Sequence, residues 1–338
     1  MRPILAVILL LASLLNQASA GYTNVFFFGD SLTDTGNVNE QYKLINPKPP
    51  GFPAVVPGPP YDPGGRASNG PLYADRLAER LGFDATASLR GGDNYAFGGA
   101  RTRYESPFGP PFLGIRDQVN TFISRPGAAD SGALYVVWGG ANNLQDILLG
   151  RTTDLLGNPI PSVGQTIGDL SSMISDLYGE GARSFLVPNL PNLGLVPRVR
   201  ELGPLAQGQA QLLTTAFDTG LNNALDGLEA TLAGIDIIRF DVSSVFNAIV
   251  ANPPAFGFSN VTNRCYTGDD LTFTGGGTVC ANPATFLFWD GIHPTTTAHQ
   301  LLGDLMLAAL AVPEPNVIAL LALGLGLMSV RRRRAGRP

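Results

Sequence analysis

Asn24-Val25-Phe26-Phe27-Phe28-Gly29-Asp30-Ser31-Leu32 is the stretch whose reading decides the fold. A short aromatic and β-branched run bounded by Asn and Gly predicts a buried strand. It empties into Asp30-Ser31-Leu32-Thr33-Asp34-Thr35-Gly36-Asn37, a turn of small polar residues. A serine at the C-terminal edge of a parallel strand lies where open α/β sheets bind ligands. Its hydroxyl is a poor nucleophile until a neighbouring base takes the proton. Serine after a strand is also a common helix cap, so this turn alone favours the cap.

Outward from it, four further segments read as buried strands: Asn94–Phe97, Leu134–Trp138, Ser184–Val187 and Ile235–Phe240. Helical patterns fall between them. The stretch Pro71 to Leu81 has Pro at the first helical position and Leu72, Leu77 and Leu81 on an apolar face. The others are Ile115–Ser124, Val163–Tyr178, Leu205–Leu232 and Thr295–Ala311. Strand–helix alternation predicts an open α/β sandwich with a mainly parallel five-stranded sheet and helices on both faces. Two long irregular stretches, Asn46–Gly70 and Asn252–Pro283, interrupt it, and loops of that length are usually functional or disordered.

The choice between cap and nucleophile turns on the base, because the chain holds only 2 histidines. His293 lies in Trp289-Asp290-Gly291-Ile292-His293-Pro294, three residues after Asp290, so one short turn presents both toward Ser31. Asp290 would then hold the imidazole in its useful tautomer while His293 takes the serine proton. His299 sits among Ala, Gln and Leu with no carboxylate at short spacing, and reads as a helix-surface histidine. An ester hydrolase also needs donors for the transition-state oxyanion. Two Gly/Asn-rich turns follow the second and third expected strands, Asn94–Ala100 and Trp138–Asn143, at the same sheet edge as Ser31. Glycine lets a backbone N–H approach closely, and an asparagine amide donates beside it.

These motifs, in this order, resemble the GDSL lipase/esterase group of SGNH hydrolases over nearly all of Val25–Leu310. The resemblance implies a flavodoxin-like three-layer α/β/α sandwich, with Ser31 as nucleophile and its own N–H as one oxyanion donor. It places the oxyanion glycine on Gly99, with Gly98 as the register alternative, and the oxyanion amide on Asn142. Asp290 and His293 match the family's Asp-x-x-His. Asn143 departs from the family's usual Asp, in a supporting position. The activity implied is hydrolysis of carboxylic esters through an acyl-enzyme, with no cofactor.

Both ends read as processing segments. Arg2, an apolar run from Ile4 to Leu15, and Ala18-Ser19-Ala20 predict a signal peptide over 1–20. That leaves a hydrolase domain over 21–311. The tail, 312–338, runs from Val312-Pro313-Glu314-Pro315 through an apolar stretch, Val317 to Val330, to Arg331–Arg334. An apolar stretch with no polar stripe, closed by arginines, predicts membrane anchoring. The tail resembles the PEP-CTERM sorting signal of Gram-negative bacteria, which implies processing by an exosortase and release to the cell surface or matrix. Between the two ends the net charge is about −10, which argues against a nucleic-acid partner. Cys265 and Cys280, the only 2 cysteines, are expected to form a disulfide, and with 2 histidines they are too few for a metal site.

The expected function is therefore that of an exported serine esterase or lipase. Two alternatives stand beside it: a deacetylase of extracellular polysaccharide, and a non-catalytic carbohydrate- or matrix-binding protein on the same scaffold. The long loops are expected to wall the pocket. Their aromatics, Tyr61, Phe256, Phe258 and Tyr266, are either acyl-group contacts or, more in keeping with their setting, loop anchors.

Overall fold

The computed structural model describes residues 21–48, 55–103, 112–125, 127, 129–154 and 157–310. The expected signal peptide and sorting tail lie outside them. No helix among the described residues is long and apolar enough to cross a membrane. Gly21–Met306 forms one compact unit.

Four parallel strands make the central sheet, in the order β1 (Val25–Gly29), β2 (Leu134–Trp138), β3 (Ser184–Pro188) and β4 (Asp236–Phe240). The register pairs Val25 with Leu134, and Ser184 with both Leu134 and Asp236. The fifth expected strand, Asn94–Phe97, runs along the outer edge of β1 without becoming a regular strand. Phe27 N–H donates to Asp93 O, while Tyr95 N–H and Phe97 N–H donate to Phe27 O and Gly29 O. On its outer side Asn94 N–H donates to Thr86 O and Ser88 N–H donates to Asn94 O, while the buried Asn37 side-chain amide donates to the carbonyls of Asn94 and Ala96. A short backbone stretch, Thr86–Ser88, and the Asn37 side chain together cover this edge. Counting this segment, the spatial order is 2-1-3-4-5, the flavodoxin-like order, whose crevice opens where the chain reverses beside β1.

Three consecutive phenylalanines explain the layers. Phe26 and Phe28 pack against Phe122 of one helix, and Phe27 points the other way, edge-on to Tyr73. Every residue of β1 and β2 is buried, as a parallel sheet covered on both faces requires. Burying one such ring contributes about 1.5–3 kcal/mol relative to exposure. The chain-order helices are α1 (Asn37–Leu44), α2 (Tyr73–Leu81), α3 (Ile115–Ile123), α4 (Ala141–Leu148), α5 (Val163–Gly179), α6 (Pro197–Glu201), α7 (Pro204–Thr231), α8 (Val242–Ala251) and α9 (Thr296–Leu310). A small parallel pair, β5 (Asn260–Arg264) and β6 (Phe286–Phe288), leads into the Asp290 turn.

His299 departs from expectation. It is fully buried, stacks on Tyr73 with ring centroids 6.4 Å apart, and neither ring nitrogen has a hydrogen-bond partner among the described residues. The Ala/Gln/Leu composition of α9 does not tell which face is inward, and packing on α2 decides it. Burial pushes the imidazole down to about 3, so it is neutral in the native protein. An unfolded histidine takes up its proton near about 6.5. The stability this contributes is complete above that pH and is lost as pH falls toward the folded value, at about 1.4 kcal/mol per pH unit. His299→Leu is expected to flatten the acid side of the stability profile, read from urea midpoints at successive pH values. An unchanged acid slope in the variant would remove His299 as its cause.

Candidate active site

Ser31 follows β1 at the crevice, where the sheet's strand order reverses. Gly29 makes the turn possible, since a Cβ there would lie 2.6 Å from the Trp138 carbonyl oxygen. The Gln118 side chain holds this peptide on both sides, accepting from Gly29 N–H at 2.9 Å and donating to Gly29 O at 2.8 Å. The chain then turns sharply, with Thr33 and Asp34 N–H both returning to Asp30 O.

His293 reaches this turn from the far end of the chain. Its Nε2 lies 2.8 Å from Ser31 Oγ, and its Nδ1 lies 2.7 Å from Asp290 Oδ2. Asp290 Oδ1 accepts from the N–H groups of Ile292 and His293, and Oδ2 also accepts from the Tyr61 hydroxyl at 2.8 Å. Burial alone would push this carboxyl up. The His293 charge and hydrogen bond, with the two backbone donors, hold it below the usual carboxylate range. A carboxylate so fixed keeps the proton on Nδ1 and leaves Nε2 free to accept from serine.

The second turn is tied to the first by Asp34. Its Oδ1 accepts from Gly36 and Asn37 N–H, and its Oδ2 from Val38 and Gly98 N–H. The Gly98 N–H is therefore occupied, whereas among the described residues neither Ser31 N–H nor Gly99 N–H meets a protein acceptor. Gly99 adopts φ +75°, a region that favours glycine. Asn142, at the start of α4, donates from its amide to Ala100 O at 3.1 Å and lies 3.4 Å from Asp30 Oδ2. Asp30 is buried, which pushes its carboxyl up to about 6.

Asn143 has a reason to be an amide. It accepts from Thr102 N–H and donates to Thr102 Oγ1, whose own proton goes to Asp169. An aspartate at 143 would face a hydroxyl with no proton left to give.

Two clefts meet at Ser31, Asn142 and His293. One is walled by Leu144, Leu148, Leu193, Val196, Val199 and Leu213. The other takes Val56 and Pro57 from the first long loop and Leu271 and Phe273 from the second, with Arg101, Arg151 and Arg198 among its polar walls. The loop aromatics singled out in the sequence line neither. Tyr61, Phe258 and Tyr266 are buried, and Phe256 packs in the cluster around Phe258. Tyr61, Tyr266 and Trp289 pack as one aromatic group, and Cys265 and Cys280 beside them are bonded. Asp34 and Asp30 are site neighbours that sequence reasoning passed over, and for Tyr61 it considered a wall or anchor role but not the bond to Asp290. The Gly-Asp-Ser turn contained two of them, but nothing local marks which carboxylate bonds which N–H. Among the described residues no cluster of side chains could hold a metal ion.

Residues 311–334 match the PEP-CTERM protein-sorting motif, which indicates export and sorting in Gram-negative bacteria. A GDSL esterase/lipase of Arabidopsis thaliana is 28% identical over 326 residues, spanning 84% of this chain and 88% of that protein. Esterase EstA of Pseudomonas aeruginosa is 28% identical over 352 residues, spanning 93% of this chain and 51% of the longer relative. A solved acetylxylan esterase of Geobacillus stearothermophilus aligns over 86% of this chain and 94% of its own, at 13% identity and a TM-score of 0.44. Residues 25–306 match the family model of the GDSL-like lipases and acylhydrolases, so the chain belongs to that hydrolase family.

Proposed function

We propose that this protein is an exported serine esterase acting on carboxylic esters with an extended apolar acyl chain. The observation that supports it is the unbroken line Ser31 Oγ, His293 Nε2, His293 Nδ1, Asp290 Oδ2, with links of 2.8 and 2.7 Å. Ser31 Oγ attacks the ester carbonyl carbon as its proton passes to His293 Nε2. The Ser31 and Gly99 N–H groups and the Asn142 amide receive the oxyanion. At 3.4 Å, the Asn142 contact to Asp30 is too long for a strong hydrogen bond, so one amide hydrogen remains for this purpose. Collapse of the intermediate expels the alcohol with the proton from His293. Water then repeats the sequence on the acyl-enzyme and releases the acid.

The apolar cleft supports the acyl half of the reading. Burying each methylene of a chain there is worth about 0.8 kcal/mol, and an acetyl group would leave most of that wall uncovered. This favours longer acyl esters over the deacetylase alternative. The test is covalent labelling with alkyl fluorophosphonates, followed by peptide mass spectrometry. A single adduct on Ser31 is expected, forming faster with an octyl reagent than with an ethyl one. An unlabelled Ser31 in folded protein would overturn the assignment of the nucleophile; equal rates would overturn the acyl-chain preference alone.

A further inference from the structure

We infer that Arg101 and Asp146 form a positioning clamp that holds the two oxyanion turns to one another. The inference rests on the reaction proposed above. Asp146 lies four residues after Asn142 on α4, one helical turn along the same face. Its carboxylate is buried and takes a two-pronged ion pair from Arg101, Nε to Oδ2 and Nη2 to Oδ1, both 2.8 Å. The remaining prong of the guanidinium, Nη1, donates to the Gly99 carbonyl oxygen at 2.8 Å. In the opposite sense, the Asn142 amide donates to the carbonyl of Ala100, the next residue. A closed circuit therefore runs Asn142, α4, Asp146, Arg101, Gly99, Ala100 and back to Asn142.

The circuit fixes what each donor cannot fix alone. The Gly98 N–H is anchored on Asp34, and the Gly99–Ala100 peptide is held by Phe97 O on its N–H and by Arg101 on its carbonyl. Glycine at φ +75° has a wide choice of neighbouring conformations, so the direction of its N–H depends on these restraints on either side, of which the Arg101 contact is the one a side chain supplies. The planar guanidinium suits the task, since it meets both carboxylate oxygens and still has a donor for Gly99. A lysine ammonium could hold the carboxylate or the carbonyl, but not with this geometry. Arg151 adds a further donor to Asp146 Oδ1 at 2.6 Å, keeping the carboxylate oriented from its solvent side.

The experiment compares Arg101→Met, Arg101→Lys and Asp146→Asn in the full chain with a p-nitrophenyl ester. Active sites are counted by the end-point of fluorophosphonate labelling, so that unfolded protein is not scored. Per labelled site, kcat is expected to fall about a hundredfold in Arg101→Met and Asp146→Asn with KM within about threefold, since a small displacement of a catalytic group costs this much. Arg101→Lys is expected to lie between, and Arg101→Met/Asp146→Asn to be no slower than the slower single variant. Inhibition by an alkyl trifluoromethyl ketone, whose adduct needs the oxyanion donors, is expected to weaken in step with kcat/KM. A purely structural ion pair would lower Tm and the number of labelled sites while leaving kcat per site and this inhibition intact, and that result would overturn the clamp. Should Arg101→Met yield no folded protein, Arg101→Lys and Asp146→Asn decide by the same criteria. An active Ser31→Ala would instead remove the reaction itself, so the two failures are distinguishable.

Discussion

Ser31→Ala is expected to lower kcat for a short p-nitrophenyl ester by about 10⁶-fold, the scale seen when a serine nucleophile is deleted from an intact triad. The substitution removes the atom that forms the acyl-enzyme and leaves the rest of the crevice in place. Ser31 Oγ has His293 Nε2 as its side-chain partner at 2.8 Å, and the neighbouring turn is held by backbone and Asp34 contacts that alanine keeps. Thermal stability is therefore expected to stay within about 0.5 kcal/mol of the parent, as for substitutions that remove no core packing. Activity near the parental level in a folded variant would sink the acyl-enzyme mechanism.

Asp290→Asn is expected to reduce kcat by about 10⁴-fold. The native Oδ2 accepts from both His293 Nδ1 and the Tyr61 hydroxyl, while Oδ1 accepts from two backbone N–H groups. An asparagine must therefore turn its NH2 toward donors on whichever side it lies. With the amide nitrogen on the imidazole side, His293 changes tautomer and presents N–H, not a lone pair, to Ser31. The loss falls on kcat because the imidazolium formed in the transition state also loses its carboxylate. Burial makes the change costly for folding too, with about 1–3 kcal/mol expected for mismatched buried donors. Stopped assays on folded variant, with denaturant midpoints measured in parallel, separate the two effects. A variant with parental kcat would show that Asp290 does not govern the His293 tautomer.

Local signals were legible in the sequence wherever the physics is local. The run Val25–Phe28 is aromatic and β-branched because its strand is buried on both faces, and β2 and β3 read the same way; β4 was placed to within a residue, but at the sheet edge only Ile237 and Phe240 of it are buried. Asp290 and His293 are three apart, so a single turn brings them together, and the sequence alone shows it. The Asn94–Phe97 segment reads as a strand from its residue types and does bond along β1, but on its outer side it meets only the short Thr86–Ser88 stretch and the Asn37 amide. Helix α4 was missed because it begins inside a Gly/Asn turn, Gly140 to Asn143, which locally looks like loop. The inward side of α9 could not be read either, and with it the burial of His299.

What the sequence determined by itself is the set of chemical parts and their order along the parallel sheet. The tertiary structure decided which parts meet. Ser31 and His293 are 262 residues apart, Tyr61 and Asp290 229 apart, and Arg101 and Asp146 45 apart. The histidine census paired Ser31 with His293 in advance, but no residue pattern encodes the other two contacts. They arise because strand ends that share one sheet edge deliver their turns to one crevice, and packing of the helices on both faces leaves each turn a single place to lie.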